Sequence, residues 1–182
     1  ESDGSFLKIP FTYSIITNLD AEHLDYYKSI KNLKSKFCEF LEKTPSVGKA
    51  FVCIDDKNIN EILNKVKNKN FYTYGTNKSS NFKILNIVQG IKYSKFDLKI
   101  NIPVNKTILR NIKIPLIGLH NIKNAAAAVA VSTSIGVSEK IIKKGLFNFK
   151  GVLRRFNYLF SYKGSIFFDD YAHHPTEIEA VL

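Results

Sequence analysis

The sequence predicts an α/β fold: a mostly parallel sheet with helices on its faces, a small antiparallel subsheet attached to it, and a second α/β unit opening near the end. Three observations predict it. Up to residue 74, short β-branched or aromatic runs alternate with helical patterns in the order strand, helix, strand, helix, strand. Parallel neighbours need such crossovers. Between residues 82 and 114 the helical period gives way to alternation, with Lys95, Asp97 and Lys99 set against Phe96, Leu98 and Ile100, as in antiparallel strands with one wet face. From residue 156 the chain reads strand, tight turn, strand, helix start.

Each element has its own reason. Residues 13–19 are an apolar, β-branched run that ends in an acidic cluster, which reads as a buried strand. Between Tyr26 and Lys43, the side chains of Ile30, Leu33, Phe37, Phe40 and Leu41 share one helical face, and Pro45 and Gly48 close that helix. Residues 50–54 give a second strand. Asp55 and Asp56 then turn the chain into a helix over 59–66, and residues 71–74 form a third strand stopped by Gly75. Residues 114–119 lead into an alanine-rich helix from Asn121 to Ile135, with Gly136 at its end. Ser138 as N-cap and Glu139 in the first turn start the next helix. A domain boundary falls at 149–152, so residues 1–150 read as one domain and 151–182 as the start of another. In the latter, strands at 156–162 and 166–170 flank a turn at Lys163 and Gly164, and Pro175 opens a helix. The chain has no internal repeat and no low-complexity linker.

A length of 182 residues suits one domain or one and a half. With 45% apolar and 24% charged residues the chain can build a core, which excludes a disordered or collagen-like protein. No run approaches the roughly 18 apolar residues of a membrane span, and no signal peptide opens the chain. The sequence starts at Glu1 in mid-pattern and reads as a fragment. The net charge of +11 raises the question of a nucleic-acid partner. Among 27 basic residues only Arg110, Arg154 and Arg155 are arginines, and the lysines are spread from Lys8 to Lys163 among Asn and Ile. Such dispersed charge governs solubility and non-specific attraction, so no specific nucleic acid is expected. The alternative, a basic nucleic-acid-binding domain, would reveal itself by salt-sensitive binding. Cys38 and Cys53 show no paired spacing and fit reduced, buried thiols in a cytoplasmic protein.

Three constellations could carry chemistry. Asn18, Asp20, Glu22, His23 and Asp25 follow the first strand, where open α/β sheets gather ligands. An imidazole among several oxygens could hold a divalent cation, and a solvated helix start capped by Asp20 fits the same residues. Gly118, His120, Asn121 and Asn124 then open the alanine helix. Asn121 and Asn124 share a face, and a carboxamide offers the donor and acceptor that an adenine edge requires. An Asn N-cap on a tightly packed helix is the other reading. The last group is Arg154, Arg155 and Phe156 with the run from Asp169 to Glu177, which places His173 and His174 before a helix start. Arg155 could grip a phosphate and Asp170 could accept from a ribose hydroxyl, while a salt bridge with a capping box fits as a structural account. Adjacent histidines diverge, so zinc is not expected.

Glu-Ser-Asp-Gly-Ser-Phe-Leu at 1–7, Thr-Asn-Leu-Asp-Ala-Glu-His-Leu-Asp at 17–25, Gly-Leu-His-Asn-Ile-Lys-Asn-Ala-Ala-Ala-Ala at 118–128, Gly-Val-Leu-Arg-Arg-Phe at 151–156 and Asp-Asp-Tyr-Ala-His-His-Pro-Thr-Glu-Ile at 169–178 occur in the order found in Mur ligases. The whole chain resembles that family. The wording of the last two motifs is similar to the members that join L-alanine to UDP-N-acetylmuramate, and tripeptide-recycling members share much of the final motif. The resemblance implies that residues 1–150 are part of a central ATP-binding domain and 151–182 the start of a Rossmann-like C-terminal domain. It implies ATP and Mg²⁺ as cofactors, with L-alanine and the lactyl carboxylate of UDP-N-acetylmuramate as substrates in peptidoglycan precursor synthesis. The carboxylate would become an acyl phosphate and the amine would then displace phosphate. By motif, His23 resembles the family's magnesium ligand, and Asn121 and Asn124 the residues that hold adenine, with His120 beside them. Arg155 and Asp170 resemble residues that reach the nucleotide on domain closure.

The family's G-x-x-x-x-G-K-[ST] loop is not found, since Gly48 and Lys49 are followed by Ala50 and lack the upstream Gly. The family's magnesium carboxylate falls, by spacing from His23, upstream of Glu1. The 182 residues alone are therefore expected not to catalyse.

Overall fold

The computed structural model describes residues 3–182. One sheet takes β1 (Tyr13–Ile16), β2 (Lys49–Cys53), β3 (Phe71–Gly75), β4 (Phe82–Gln89), β5 (Ser94–Ile102) and β6 (Asn105–Ile114) in chain order. The first three ladders are parallel and the last two antiparallel. The antiparallel segment expected from the alternating pattern thus continues the parallel sheet, joined to it where Tyr74 faces Phe82 and Gly75 faces Lys83. Ala50, Phe51 and Val52 in β2 are fully buried, as a central parallel strand covered on both faces should be. β1 lies at an edge and leaves Tyr13 and Ile15 exposed.

Helices α1 (Leu24–Tyr27), α2 (Ile30–Glu42) and α3 (Lys57–Leu63) connect the parallel strands, with α2 packed on α3. The single helix expected between Tyr26 and Lys43 is broken in two. Lys28 takes φ 65°, and Ser29 becomes a new N-cap whose hydroxyl accepts from the Asn32 amide at 3.2 Å. Asp56 caps α3 through the Ile59 amide at 2.8 Å.

After β6 come α4 (Leu119–Ser134), packed against β2 to β5, and α5 (Glu139–Asn148), packed on β6. Ser138 occupies the N-cap position of α5 but makes no side-chain cap bond. β7 (Asn157–Tyr162) and β8 (Ser165–Asp169) form a two-stranded sheet of their own, followed by α6 (Pro175–Val181) with its Pro in the first turn. Cys53 is buried as expected and Cys38 only half-buried; burial pushes both thiols above their usual pKa, so neither is activated. Among the described residues no helix is long and apolar enough to cross a membrane.

Candidate functional site

A cavity of about 1000 Å³ opens beyond the carboxyl ends of the parallel strands, where sheets of this type bind ligands. Its walls come from the loops after β1 and β2, the end of β6, the first turns of α4, the last turn of α5, and the segment between Val152 and Val181. His120, Asn121, Asn124, Arg155 and Asp170 all line it, although up to fifty residues separate them in the chain.

The α4 wall is shaped by its entry. Gly118 has φ +95°, and a Cβ there would stand 2.7 Å from the His120 ring, so only glycine lets the imidazole fold back over the helix start. The Gly118 amide donates to Gln89 Oε1 at 3.0 Å. Asn121 Nδ2 donates to the Ile117 carbonyl at 2.7 Å, which fixes the carboxamide and leaves its oxygen for a ligand's donor. Asn124 and Ala128 are exposed on the cavity side, while Ala126 and Ala130 are fully buried on the sheet side. His120 has its pKa lowered, by burial first and by Arg155 second, against a smaller pull upward from Asp170.

The opposite wall is a strained turn. Arg154 (φ 59°) and Phe156 (φ 51°) sit in the left-handed region on either side of Arg155. Several bonds over-determine it, as such a turn requires. Asp170 accepts from the Phe156 amide and the Ala172 amide, both at 2.7 Å, one on each carboxylate oxygen. The Tyr171 amide donates to Arg154 O at 2.8 Å, and the Arg154 guanidinium lies 4.6 Å from the centre of the Tyr171 ring. The Arg155 amide donates to Asn157 Oδ1, while its guanidinium is exposed and meets Glu177 only at 3.9 Å. The Glu177 carboxyl is held below the usual range, chiefly by the His173 amide.

The acidic loop divides. Asn18, Asp20 and Glu22 line the cavity; His23 and Asp25 are exposed and do not. Asp20 Oδ1 accepts from the Ala21 amide at 2.7 Å, and the N-cap position of α1 falls to His23, with φ 55°. Sequence reasoning missed what faces this loop. His174 Nδ1 stands 3.9 Å from both Asp20 Oδ2 and Glu22 Oε1, and the three groups offer ligand atoms within 4.8 Å of one another. Two carboxylate oxygens and an imidazole suit a divalent cation. His173 is exposed outside the cavity lining, and Glu1 lies outside the described residues. Asp56 and Asn58 were also missed as cavity residues; they hold Leu19 by its amide (3.3 Å) and its carbonyl (2.7 Å). Asp56 was legible only as a turn residue, and Asn58 carried no signal.

Comparison with known proteins bears on the family and the fold. The family model described as "Mur ligase middle domain" matches residues 2–132. The chain is 58% identical over its whole length to the UDP-N-acetylmuramate--L-alanine ligase of Pelagibacter ubique (strain HTCC1062), and 40% identical to that of Bartonella tribocorum. It spans 39% of the length of each. Among solved structures, the UDP-N-acetylmuramate-alanine ligase MurC from Thermotoga maritima superimposes with a TM-score of 0.77 at 25% identity, covering 99% of this chain and 39% of that one. By the match over most of its length, and with the motif residues gathered on one cavity, the chain belongs to the Mur ligase family.

Proposed function

We propose that this chain is the nucleotide-binding part of an ATP-dependent ligase that joins L-alanine to the lactyl carboxylate of UDP-N-acetylmuramate through an acyl phosphate. The observation that carries the reading is the convergence of Asn121, Asn124, Arg155 and Asp170 on one cavity. In this reading residues 1–150 belong to the central domain and 151–182 begin the C-terminal one. The names of the relatives at 58% and 40% identity support alanine as the amine.

The residues divide the work by their chemistry. The Asn121 and Asn124 carboxamides hold the base edge, with Asn121 already oriented by its own bond to Ile117. Asp170 is locked by two amides and keeps a second lone pair on each oxygen for ribose hydroxyls. Arg155 meets its resting partner Glu177 loosely, so its guanidinium is available to a phosphate, to which it can bond bidentately. His120, neutral in its half-buried place, offers a hydrogen bond without adding charge. Mg²⁺ supplies charge neutralisation at crowded phosphates. The Asp20 and Glu22 carboxylates give the cavity edge the oxygen donors it favours, and His23, on the same loop, is the ligand the family resemblance assigns. Walls from two parts of the chain let the site exclude water from an acyl phosphate when they draw together.

The test uses the complete protein that carries this chain. Phosphate release from ATP with UDP-N-acetylmuramate is expected to depend on L-alanine. Arg155→Ala should cut turnover by about 100-fold or more, as loss of a phosphate clamp does, and Asn124→Ala should raise the KM for ATP by roughly tenfold for one lost hydrogen bond. Turnover with a murein tripeptide in place of alanine would move the chain to the recycling branch. No alanine-dependent release is expected from the isolated 182 residues.

A further inference from the structure

Outside the cavity, an ion pair that the ligase reading does not use joins the turn after β2 to α4. Lys123 Nζ lies 3.2 Å from Asp55 Oδ2, and the Asp55 side chain is only 9% exposed. Four further contacts hold that carboxylate still. The Thr76 amide reaches both oxygens at 2.9 Å, the Thr76 hydroxyl donates to Oδ2 at 3.0 Å, and the Asn77 amide donates to Oδ1 at 3.0 Å. Gly75, at φ +141°, makes room for it, since a Cβ there would stand 2.5 Å from Oδ1. Burial pushes the Asp55 carboxyl up, but the Thr76 amide, the Lys123 ammonium and the Asn77 amide together outweigh it and hold it below the usual range, so the carboxylate stays ionised.

What the pair restrains is α4. The buried surface of that helix is Ala126, Ala127 and Ala130, with Ile122 and Val129 as its two large side chains, while Ala125 is shared with the cavity wall. With small side chains between those two, the packing limits rolling less than a face made wholly of large side chains would, so a charged tether near the helix start adds direction. Lys123 is the fifth residue of the helix, about 100° around it from Asn124 and about 200° from Asn121. Neither Asp55 nor Lys123 lines the cavity that the two asparagines face.

We propose that the Asp55–Lys123 pair is a positioning device for the nucleotide, pinning the rotation of α4 to the turn after β2, itself tied to the residues after β3, so that Asn121 and Asn124 face the cavity. The inference rests on the nucleotide reading above and adds two residues that act on the ligand only through the helix.

The experiment is ADP titration by calorimetry, with steady-state kinetics, on the complete protein carrying Lys123→Met, Lys123→Arg, Asp55→Asn and the double change Asp55→Asn with Lys123→Met. Lys123→Met should weaken ADP binding and raise the KM for ATP about 5- to 20-fold, as expected for a coupled pair. It should leave kcat within about twofold and the KM for UDP-N-acetylmuramate unchanged, because the pair touches neither the reacting atoms nor the other substrate. Lys123→Arg should restore affinity, and the double variant should be no weaker than Lys123→Met alone. Unchanged ADP affinity in Lys123→Met would overturn the proposal. So would a loss of kcat and of affinity for every substrate in step with a lowered unfolding midpoint, the mark of general destabilisation. A wild-type protein that binds no adenine nucleotide would overturn the ligase reading and this inference together.

Discussion

His120 is a cavity side chain whose charge the fold decides. Burial lowers its pKa from 6.5, Arg155 lowers it further, and Asp170 opposes them. The folded state therefore binds a proton less readily than the unfolded chain, and stability is fully present above the unfolded value. As pH falls below about 6.5 the unfolded state takes up the proton first, and that stability drains away through the folded pKa. Urea midpoints measured from pH 7.5 down to 5.5 should fall, and His120→Gln should flatten that part of the profile. At this scale the sequence was most legible in the spacing of Asn121 and Asn124, which put both carboxamides on one helix face, and both line the cavity. His174 beside Asp20 and Glu22, and Lys123 beside Asp55, were not readable, because each contact joins segments far apart in the chain that only the folded structure brings together.

Among the elements, α4 shows how two faces of one helix divide labour. Ala126 is fully buried against the sheet, while Ala128 is exposed and lines the cavity. Ala126→Leu should overpack the interface and cost about 1–3 kcal/mol. Ala128→Leu should leave stability within about 0.5 kcal/mol while narrowing the cavity and weakening ADP. Chemical denaturation of the two variants beside ADP titration separates these outcomes. The elements themselves were largely legible, since buried strands and amphipathic helices announce their periods. The break between α1 and α2 was not, because Lys28 is an ordinary residue forced into the left-handed region while the apolar face runs on through Ile30 and Leu33. The extension of the sheet through β4 was equally hidden, since alternation predicts antiparallel partners but not which parallel strand they join.

For the whole molecule, the chain is two hydrogen-bonded assemblies that meet around one cavity. The six-stranded sheet and the β7–β8 hairpin share no ladder, and the edge strand β1 and the hairpin both leave large apolar side chains in water. That arrangement makes the cavity a joint as well as a site. A ligand touching Asn124 on one side and Arg155 on the other would act as a strap across the residues between α5 and β7, tightening them without any new protein contact. At a nucleotide concentration a hundredfold above Kd the strap would be worth about 2.7 kcal/mol. In the complete protein, cleavage by a protease within residues 149–156 should then slow by roughly a hundredfold when ADP saturates the site, if opening of the joint is what exposes that segment. The same two-part wall gives the protein a mechanical record of occupancy: whether the segment is cut or spared would report, residue by residue, whether the site is full.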